Sequence, residues 1–150
     1  MNSSNDERMA NNMTFEELRE MLLYRKITEW NGNTIVLDNG IQISIEETEQ
    51  DCCATAGGEF TDVVLDAAIT NVSDIQYEPW RDGDYGEYGC SATATIMHNR
   101  NIICKAIGDA DAGNGGYYYS IASFIVKIPM QEDKICHFVG SEDGEDELLT

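Results

Sequence analysis

Apolar residues recur at two different periods along this chain of 150 residues. Near the start the period is helical, and the apolar positions are Phe15, Leu18 and Leu22. Thr14 stands just before them and Glu17 follows it by three residues, which is the pattern of a capping box. The pattern therefore predicts a helix over residues 14–26.

The period then changes to two, which is typical of β-strands. Two strand-like runs, residues 34–37 and 41–46, flank the sequence Asp38-Asn39-Gly40. An Asn-Gly pair between alternating apolar residues is a strong hairpin signal. We therefore predict a β-hairpin at this position.

The remainder of the chain has one more helix-like run and several strand-like runs. A short helix is predicted around Phe60, Val63, Val64 and Ala67. The strand-like runs are residues 69–77, 90–98, 102–107 and 117–128, and residues 108–116 are predicted to form a glycine-rich loop. The predicted fold class is α+β, an antiparallel β-sheet of about five to six strands with an N-terminal helix and one short additional helix.

The length of the chain is that of one ordinary domain. A chain of 150 residues with 42% hydrophobic residues can bury a core of its own. We predict a flexible leader over residues 1–13, a single domain over 14–140 and an acidic tail over 141–150. The apolar runs are too short to cross a bilayer and residues 1–13 contain no apolar signal segment, so we expect a cytoplasmic protein.

Negative charge is the strongest signal in the composition. The chain has 28 Asp and Glu residues against 9 Lys and Arg, and its net charge is −19. From Ile27 to Trp80 the sequence contains carboxylates but no basic residue. Such a surface repels nucleic acids and anionic membranes and attracts basic partners. We therefore expect a protein that binds another protein.

Five cysteines in a chain expected to be cytoplasmic indicate free thiols or metal ligands, because disulfides are rare in that compartment. Cys52 and Cys53 follow a predicted strand, and Cys136-His137 is a second adjacent pair. Zinc takes about four nitrogen or sulfur ligands. Cys52, Cys53, Cys136 and His137 are therefore the candidate ligands of a zinc ion.

Other ligand sets and a metal-free interpretation stay open at this point. If residues 90–98, 102–107 and 117–128 form a meander, His98 lies at the same sheet end as Cys136-His137, and Cys90 lies at the other. Cys90 and His98 are therefore alternative ligands. Buried thiols without a metal are the competing interpretation, and Cys104 is expected in the core.

No motif in the sequence identifies a reaction. Residues 109–115 and 82–87 are rich in Asp and Gly, but they lack the register of a calcium-binding loop. No Gly-Lys-Ser/Thr sequence follows the glycine-rich loop, so a nucleotide cradle is not expected. With so many carboxylates no acid–base pair stands out, and we predict that the protein is not an enzyme.

Three segments carry a family resemblance: the Asp38-Asn39-Gly40 hairpin, the Asp51-Cys52-Cys53 motif after the second strand, and the Asn114-Gly115-Gly116-Tyr117-Tyr118-Tyr119-Ser120 segment. Together they resemble a family of small phage and prophage proteins without an assigned function. The last segment departs from the Asn-Gly-Tyr-Tyr-Ser form of that family by an additional Gly or Tyr. The resemblance covers residues 25–128 and implies a phage origin.

A phage origin implies an inhibitor of host defence, because small acidic phage proteins without enzyme motifs resemble such inhibitors. Inhibitors of type II CRISPR effectors are among them, and some carry structural zinc. A Cas9-type effector holds nucleic acid in positively charged channels, for which a carboxylate array can compete. The candidate partner-binding residues cluster on predicted hairpin ends and loops: Glu46, Glu47, Glu49, Asp51, Asp82, Asp84 and Glu87.

Two other classes of function stay open. The first is a zinc-stabilised phage accessory or adaptor domain without an inhibitory role. The second is a small thiol-dependent or hydrolytic enzyme, for which a reactive cysteine would be the signature.

Overall fold

The computed structural model describes residues 11–82, 87–113 and 118–143 of the chain. One short helix, α1 (Phe15–Leu22), and ten strands make up the described fold. The strands are β1 (Ile27–Asn31), β2 (Thr34–Leu37), β3 (Gln42–Gln50), β4 (Ala56–Thr61), β5 (Asn71–Val72), β6 (Gln76–Asp82), β7 (Glu87–His98), β8 (Asn101–Asp111), β9 (Ser120–Lys127) and β10 (Lys134–Gly140).

The strands form two antiparallel sheets that pack face to face. The first sheet has the order β1-β2-β3-β9-β10. The second has the order β4-β8-β7, and β5 and β6 pair with successive parts of the long strand β7. The chain passes from the first sheet to the second after β3 and returns after β8. The two crossing segments meet at one end of the sandwich, where Thr55 N donates to Asp111 Oδ1 at 3.1 Å.

The prediction of an α+β fold with five to six strands is wrong, because the described residues are mostly β and form ten strands in two sheets. The predicted second helix is wrong as well. Its first residue, Phe60, lies in β4 and packs on Phe124 of the first sheet with ring centroids 6.4 Å apart. Val64 and Leu65 are exposed in the loop that follows. The helix-like spacing therefore combines one buried strand residue with loop residues and marks no continuous apolar face.

The local signals for α1 and for the first hairpin are confirmed. Glu17 N donates to Thr14 Oγ1 at 3.1 Å and Thr14 N donates to Glu17 Oε1 at 3.2 Å, so the capping box is complete. The helix ends at Leu22, earlier than predicted. Strands β2 and β3 pair on either side of the Asp38-Asn39-Gly40 turn, in which Gly40 has a φ of +88° that favours glycine.

The hairpin of β7 and β8 is also confirmed, but it is longer than predicted. Strand β8 continues through Gly108 to Asp111, so the predicted loop over residues 108–116 begins too early. The predicted meander is wrong, because β9 does not pair with β8. It lies in the first sheet between β3 and β10.

Large side chains of the first sheet pack on small residues of the second. Most residues on the inner face of β7 and β8 are small, with Ile96 as the large exception: Cys90, Ala92, Ala94, Ile96, Cys104, Ala106, Gly108 and Ala110. A Cβ atom on Gly108 would lie 2.7 Å from Phe138 Cε2. Phe138 in turn stacks on Phe124, with ring centroids 4.5 Å apart. The absence of side-chain bulk on β8 thus lets the two sheets approach closely.

Other elements close the margins of the sandwich. Helix α1 covers one side, where Leu18 and Leu22 are buried and Phe15 packs on Phe124. In β6, the Tyr77 hydroxyl donates to the carbonyl oxygen of Phe138 at 2.8 Å. Phe138 lies at an irregularity between β9 and β10, so this bond holds a carbonyl that is outside the regular register.

Residues next to the predicted domain boundaries are bonded to the sheets. Met13 N donates to Ile135 O at 2.8 Å, and Ser120 N donates to Ser141 Oγ at 3.2 Å. The rest of the predicted leader, residues 1–10, and of the acidic tail, residues 144–150, lies outside the described residues. The predicted domain boundaries stay predictions. No helix in the described ranges is long and apolar enough to cross a membrane.

Gly108→Ala should destabilise the fold because its methyl group would overlap the Phe138 ring. We expect the free energy of unfolding to fall by about 1–3 kcal/mol, as for other overpacked cores. The matched control is Gly57→Ala on β4, where a Cβ atom meets no other atom within 4 Å. Urea denaturation of both variants checks the prediction, and equal stability of the two would contradict the close packing of the sheets.

Alkaline pH should destabilise the fold through Tyr77. Burial raises the pKa of Tyr77 from 10.0 to about 12, and the negative charge of Asp143 adds to the shift. The unfolded chain therefore loses this proton before the folded chain does, and the free energy of unfolding falls as the pH rises from 10 to 12. In Tyr77→Phe we expect a smaller alkaline loss and a neutral-pH stability lower by about 1 kcal/mol. Denaturation at a series of pH values tests both effects.

Candidate functional site

The second half of β3 forms a projecting acidic edge. Strand β2 pairs with β3 only from Gln42 to Ser44, and the Asn33 carbonyl and side chain bond to Ile45 just beyond. From Glu46 onward, β9 is the only described strand in register with β3. The residues on this part of β3 are Glu46, Glu47, Thr48, Glu49 and Gln50, and Asp51 follows directly.

Four of the predicted partner-binding carboxylates are at least partly accessible to water. Glu46, Glu47 and Glu49 are exposed and Asp51 is half-buried. The Ser44 hydroxyl donates to Glu46 Oε2 at 2.6 Å, which orients that carboxylate on the outer face of the sheet. Within the described ranges, the ion pairs formed by lysine and arginine engage acidic residues elsewhere: Glu16, Asp38, Asp62 and Asp74. The charge of Glu46 and Asp51 is therefore not neutralised by those cations.

Glu47 forms a hydrogen bond that links the two sheets. Its Oε2 accepts a hydrogen bond from Ala56 N at 2.8 Å, at the start of β4. The Glu47 carboxylate thus joins the first sheet to the second. A hydrogen bond from a backbone N–H to a charged carboxylate is stronger than one between two neutral groups.

For the other three predicted partner-binding residues, only the position along the chain can be given. Asp82 ends β6 and Glu87 begins β7. The side chains of these two residues, and the whole of Asp84, lie outside the described part of the chain.

Cys52 and Cys53 form an exposed turn directly after the acidic edge. Their Sγ atoms are 3.0 Å apart. Cys53 has a left-handed backbone with a φ of 77°. Its pKa is raised, first by the hydrogen bond to Cys52, and also by burial and by the charge of Cys52.

The two other candidate zinc ligands lie on opposite faces of β10. Cys136 is buried between the sheets, and burial raises the pKa of its thiol to about 12. His137 is exposed, and its Nε2 lies 2.8 Å from Asp143 Oδ2. Burial alone would raise the pKa of Asp143, but its hydrogen bonds to His137 and to Gly140 N lower it.

Cys136 and the Cys52-Cys53 turn occupy different positions along the first sheet. Cys136 lies opposite Phe124 on β9, whereas Gln50, just before the turn, lies opposite Ser120. At about 3.3 Å per residue, these two positions on β9 are roughly 13 Å apart. Among the residues that the structure describes, no three His, Cys, Asp or Glu side chains form a group suited to a metal ion. Zinc binding stays a prediction.

The alternative ligands are either buried in the core or engaged in another contact. Cys90 lies on the inner face of the second sheet, and Cys104 is buried there too. Nδ1 of His98 lies 2.7 Å from the carbonyl oxygen of Ala68, at the opposite end of β7 from Cys90. Because β9 belongs to the other sheet, the meander that placed His98 beside Cys136-His137 does not exist.

Two acidic residues of the predicted glycine-rich loop, Asp109 and Asp111, lie on β8 and are hydrogen-bonded to other parts of the fold. Asp109 Oδ1 accepts bonds from Trp80 Nε1 at 3.0 Å and from the Ser91 hydroxyl at 2.7 Å. Asp111 accepts from the backbone and the hydroxyl of Thr55 and from Gly113 N. The bonds of Asp111 hold the crossing segments together, and those of Asp109 join β8 to β6 and β7.

A cleft beside the acidic edge was not predicted from the sequence. It has a volume of about 470 Å³ and is lined by residues of β3, β9, β10 and the segment before α1: Asn12, Met13, Thr48, Glu49, Ile121, Ser123, Ile135 and His137. The hydroxyls of Thr48 and Ser123 lie 2.8 Å apart in it. No sequence signal could reveal this cleft, because distant segments bring its residues together.

Comparison with protein families matches most of the chain to one whose function is unknown. A family model described as a domain of unknown function (DUF7448) matches residues 20–125, which is more than half of the chain. The match includes the acidic edge and the Cys52-Cys53 turn. No curated protein and no solved structure matches the chain significantly.

Alkylation should separate the cysteines into two classes. Cys52 and Cys53 are exposed, whereas Cys90, Cys104 and Cys136 are buried. Burial also raises the pKa of Cys104 to about 12, and thiolate is the reactive form. We expect N-ethylmaleimide at neutral pH to modify only Cys52 and Cys53 in the folded protein and all five cysteines after denaturation.

The double variant Cys52→Ser/Cys53→Ser is the control for this experiment. It should take up no label until it is denatured. Fast labelling of Cys90, Cys104 or Cys136 in the folded wild-type protein would contradict their burial. Intact mass and peptide mapping measure the result.

Proposed function

We propose that this chain, which belongs to the DUF7448 family of domains of unknown function, is a binding protein that inhibits a basic nucleic-acid-binding protein by stoichiometric complex formation. The observation that carries the proposal is the acidic edge of β3. Glu46, Glu49 and Asp51 follow one another on a framework fixed by the pairing of β3 with β9. A preorganised row of like charges binds a cationic surface without first having to order a flexible segment.

The electrostatics support a basic partner. A net charge of −19 gives the molecule a long-range attraction for cationic surfaces and a repulsion from nucleic acids. At about 3.4 Å per residue of an antiparallel strand, Glu46 and Glu49 are roughly 10 Å apart along the edge and Glu49 and Asp51 roughly 7 Å apart. The edge thus presents a series of negative charges to a cationic surface, as does the nucleic acid with which it would compete.

The cleft beside the edge supports a specific contact in addition to the general attraction. Its volume of about 470 Å³ falls within the range of about 300–1,000 Å³ typical of binding pockets. Glu49, Thr48 and Ser123 line it with oxygen acceptors, and Ile121 and Ile135 line it with apolar surface. This lining suits a lysine or arginine side chain of the partner, whose alkyl stem and charged end need the two kinds of surface.

The most specific form of the proposal is an anti-CRISPR protein of phage origin that acts on a type II effector. The resemblance of the Asp51-Cys52-Cys53 and Asn114 to Ser120 segments to small phage proteins supports it. A Cas9-type effector also offers positively charged channels of the kind that an acidic edge could occupy. The site of action would then be the cytoplasm of the host cell.

Removing charge from the edge should abolish inhibition. The test variant is Glu46→Gln/Glu49→Gln/Asp51→Asn, which leaves Glu47 and its bond to Ala56 N in place. The probe is a purified Cas9–guide RNA complex, with cleavage of target DNA and affinity for the inhibitor as readouts. We expect the affinity to fall by more than tenfold, a loss of at least about 1.4 kcal/mol, and the wild-type affinity to decrease with salt.

The matched control is Glu20→Gln/Glu132→Gln/Asp133→Asn, which removes the same charge from exposed positions on α1 and in the turn between β9 and β10. Equal losses in the two variants would show general electrostatic attraction and overturn the role of the edge. Absence of wild-type binding to the Cas9 complex would overturn the anti-CRISPR form of the proposal. Self-association of the test variant alone would show that the charges protect an open strand edge, which is the known alternative role of such residues.

A further inference from the structure

The Cys52-Cys53 turn differs from the other cysteines in exposure and in geometry. Both side chains are exposed, and their Sγ atoms lie 3.0 Å apart. The other three cysteines are buried. The two adjacent thiols are therefore accessible to a reagent and already close to each other.

The backbone around the turn is held firmly on both sides. Asp51 N donates to Tyr119 O at 2.9 Å, and Ala54, which is fully buried, donates from its N to Asp51 O at 3.2 Å. Thr55 bonds to Asp111 through its backbone and its hydroxyl. A Cβ atom on Gly113 would lie 2.9 Å from the Cys53 carbonyl oxygen, so the turn also packs tightly on the segment after β8. These contacts fix the left-handed conformation at Cys53.

We propose that Cys52 and Cys53 form a vicinal dithiol site that low-molecular-weight disulfides oxidise to a disulfide between the two adjacent residues. The proposal concerns a modification of the turn and is independent of the inhibitory function proposed above. It does not require a metal ion.

The reaction is thiol–disulfide exchange in two steps. The thiolate of one cysteine attacks a sulfur of the disulfide RSSR, forms a mixed disulfide and releases RS⁻. The second cysteine attacks the protein sulfur of that mixed disulfide, closes the ring and releases a second RS⁻. The two thiols lose two electrons and two protons, RSSR accepts the electrons, and the two thiolates take up the protons as two RSH molecules.

Geometry also predicts that the oxidised form is easily reduced. Adjacent Cα atoms across a trans peptide are about 3.8 Å apart, whereas ordinary disulfides join Cα atoms about 4.4–6.8 Å apart. Closing the ring therefore introduces strain, and strained, exposed disulfides have more oxidising potentials. The site should cycle between dithiol and disulfide forms.

Peptide mapping after oxidation tests the proposal. The folded protein is incubated with glutathione disulfide, quenched with acid, alkylated and digested with trypsin. Because no Lys or Arg lies between Ile27 and Trp80, one tryptic peptide, residues 27–81, carries Cys52 and Cys53 and no other cysteine. We expect this peptide to lose the mass of two hydrogen atoms, to carry no alkyl group and to regain both alkylation sites after mild reduction.

The single variants Cys52→Ser and Cys53→Ser are the controls. Each should retain one glutathione on the remaining cysteine, because the second step is no longer possible. Stable glutathione adducts on the wild-type peptide, or disulfide-linked dimers without the internal disulfide, would overturn the proposal. The circular dichroism spectra of all forms should match that of the reduced wild-type protein, since the turn lies outside the strands.

Discussion

The contact between large residues of one sheet and small residues of the other is the constraint on which the rest of the structure depends. Phe138 lies directly over Gly108, and Phe124 packs beside it. This arrangement sets how closely the sheets approach, and therefore how the two crossing segments meet at one end of the sandwich. The acidic edge of β3 and the Cys52-Cys53 turn both lie at that end, so their positions follow from the core.

Sequence patterns predicted the fold where the deciding interactions are local. The capping box of α1 and the Asp38-Asn39-Gly40 turn involve neighbouring residues, and both are found in the structure. The patterns failed where a partner from a distant segment decides. Gly108 looked like part of a loop because its role is to leave room for Phe138, which lies far along the chain. Alternation also identifies a strand without indicating which sheet the strand joins, so β9 was placed beside the wrong neighbour.

The same limit applies to the candidate site. Glu46, Glu49 and the adjacent cysteines could be proposed as candidates because they lie close together in the sequence. The bond from Ala56 N to Glu47 could not be foreseen, since it depends on where β4 begins. Nor could the sequence reveal that Cys136 faces the core, because the face of each residue of β10 depends on its register with β9. The cleft lined by Thr48, Ser123 and His137 likewise exists only after three strands have paired.

The position of the acidic edge links stability to the proposed function. Like charges on one strand repel one another, and the ion pairs of Arg19, Arg25 and Lys105 are formed elsewhere. Charge at an open strand edge prevents pairing with another copy of the chain, because equal edges repel. In the proposed function the same edge attracts a surface of opposite charge. Protection from self-association and the proposed selectivity for a basic partner therefore need not compete, since both would arise from the same carboxylates.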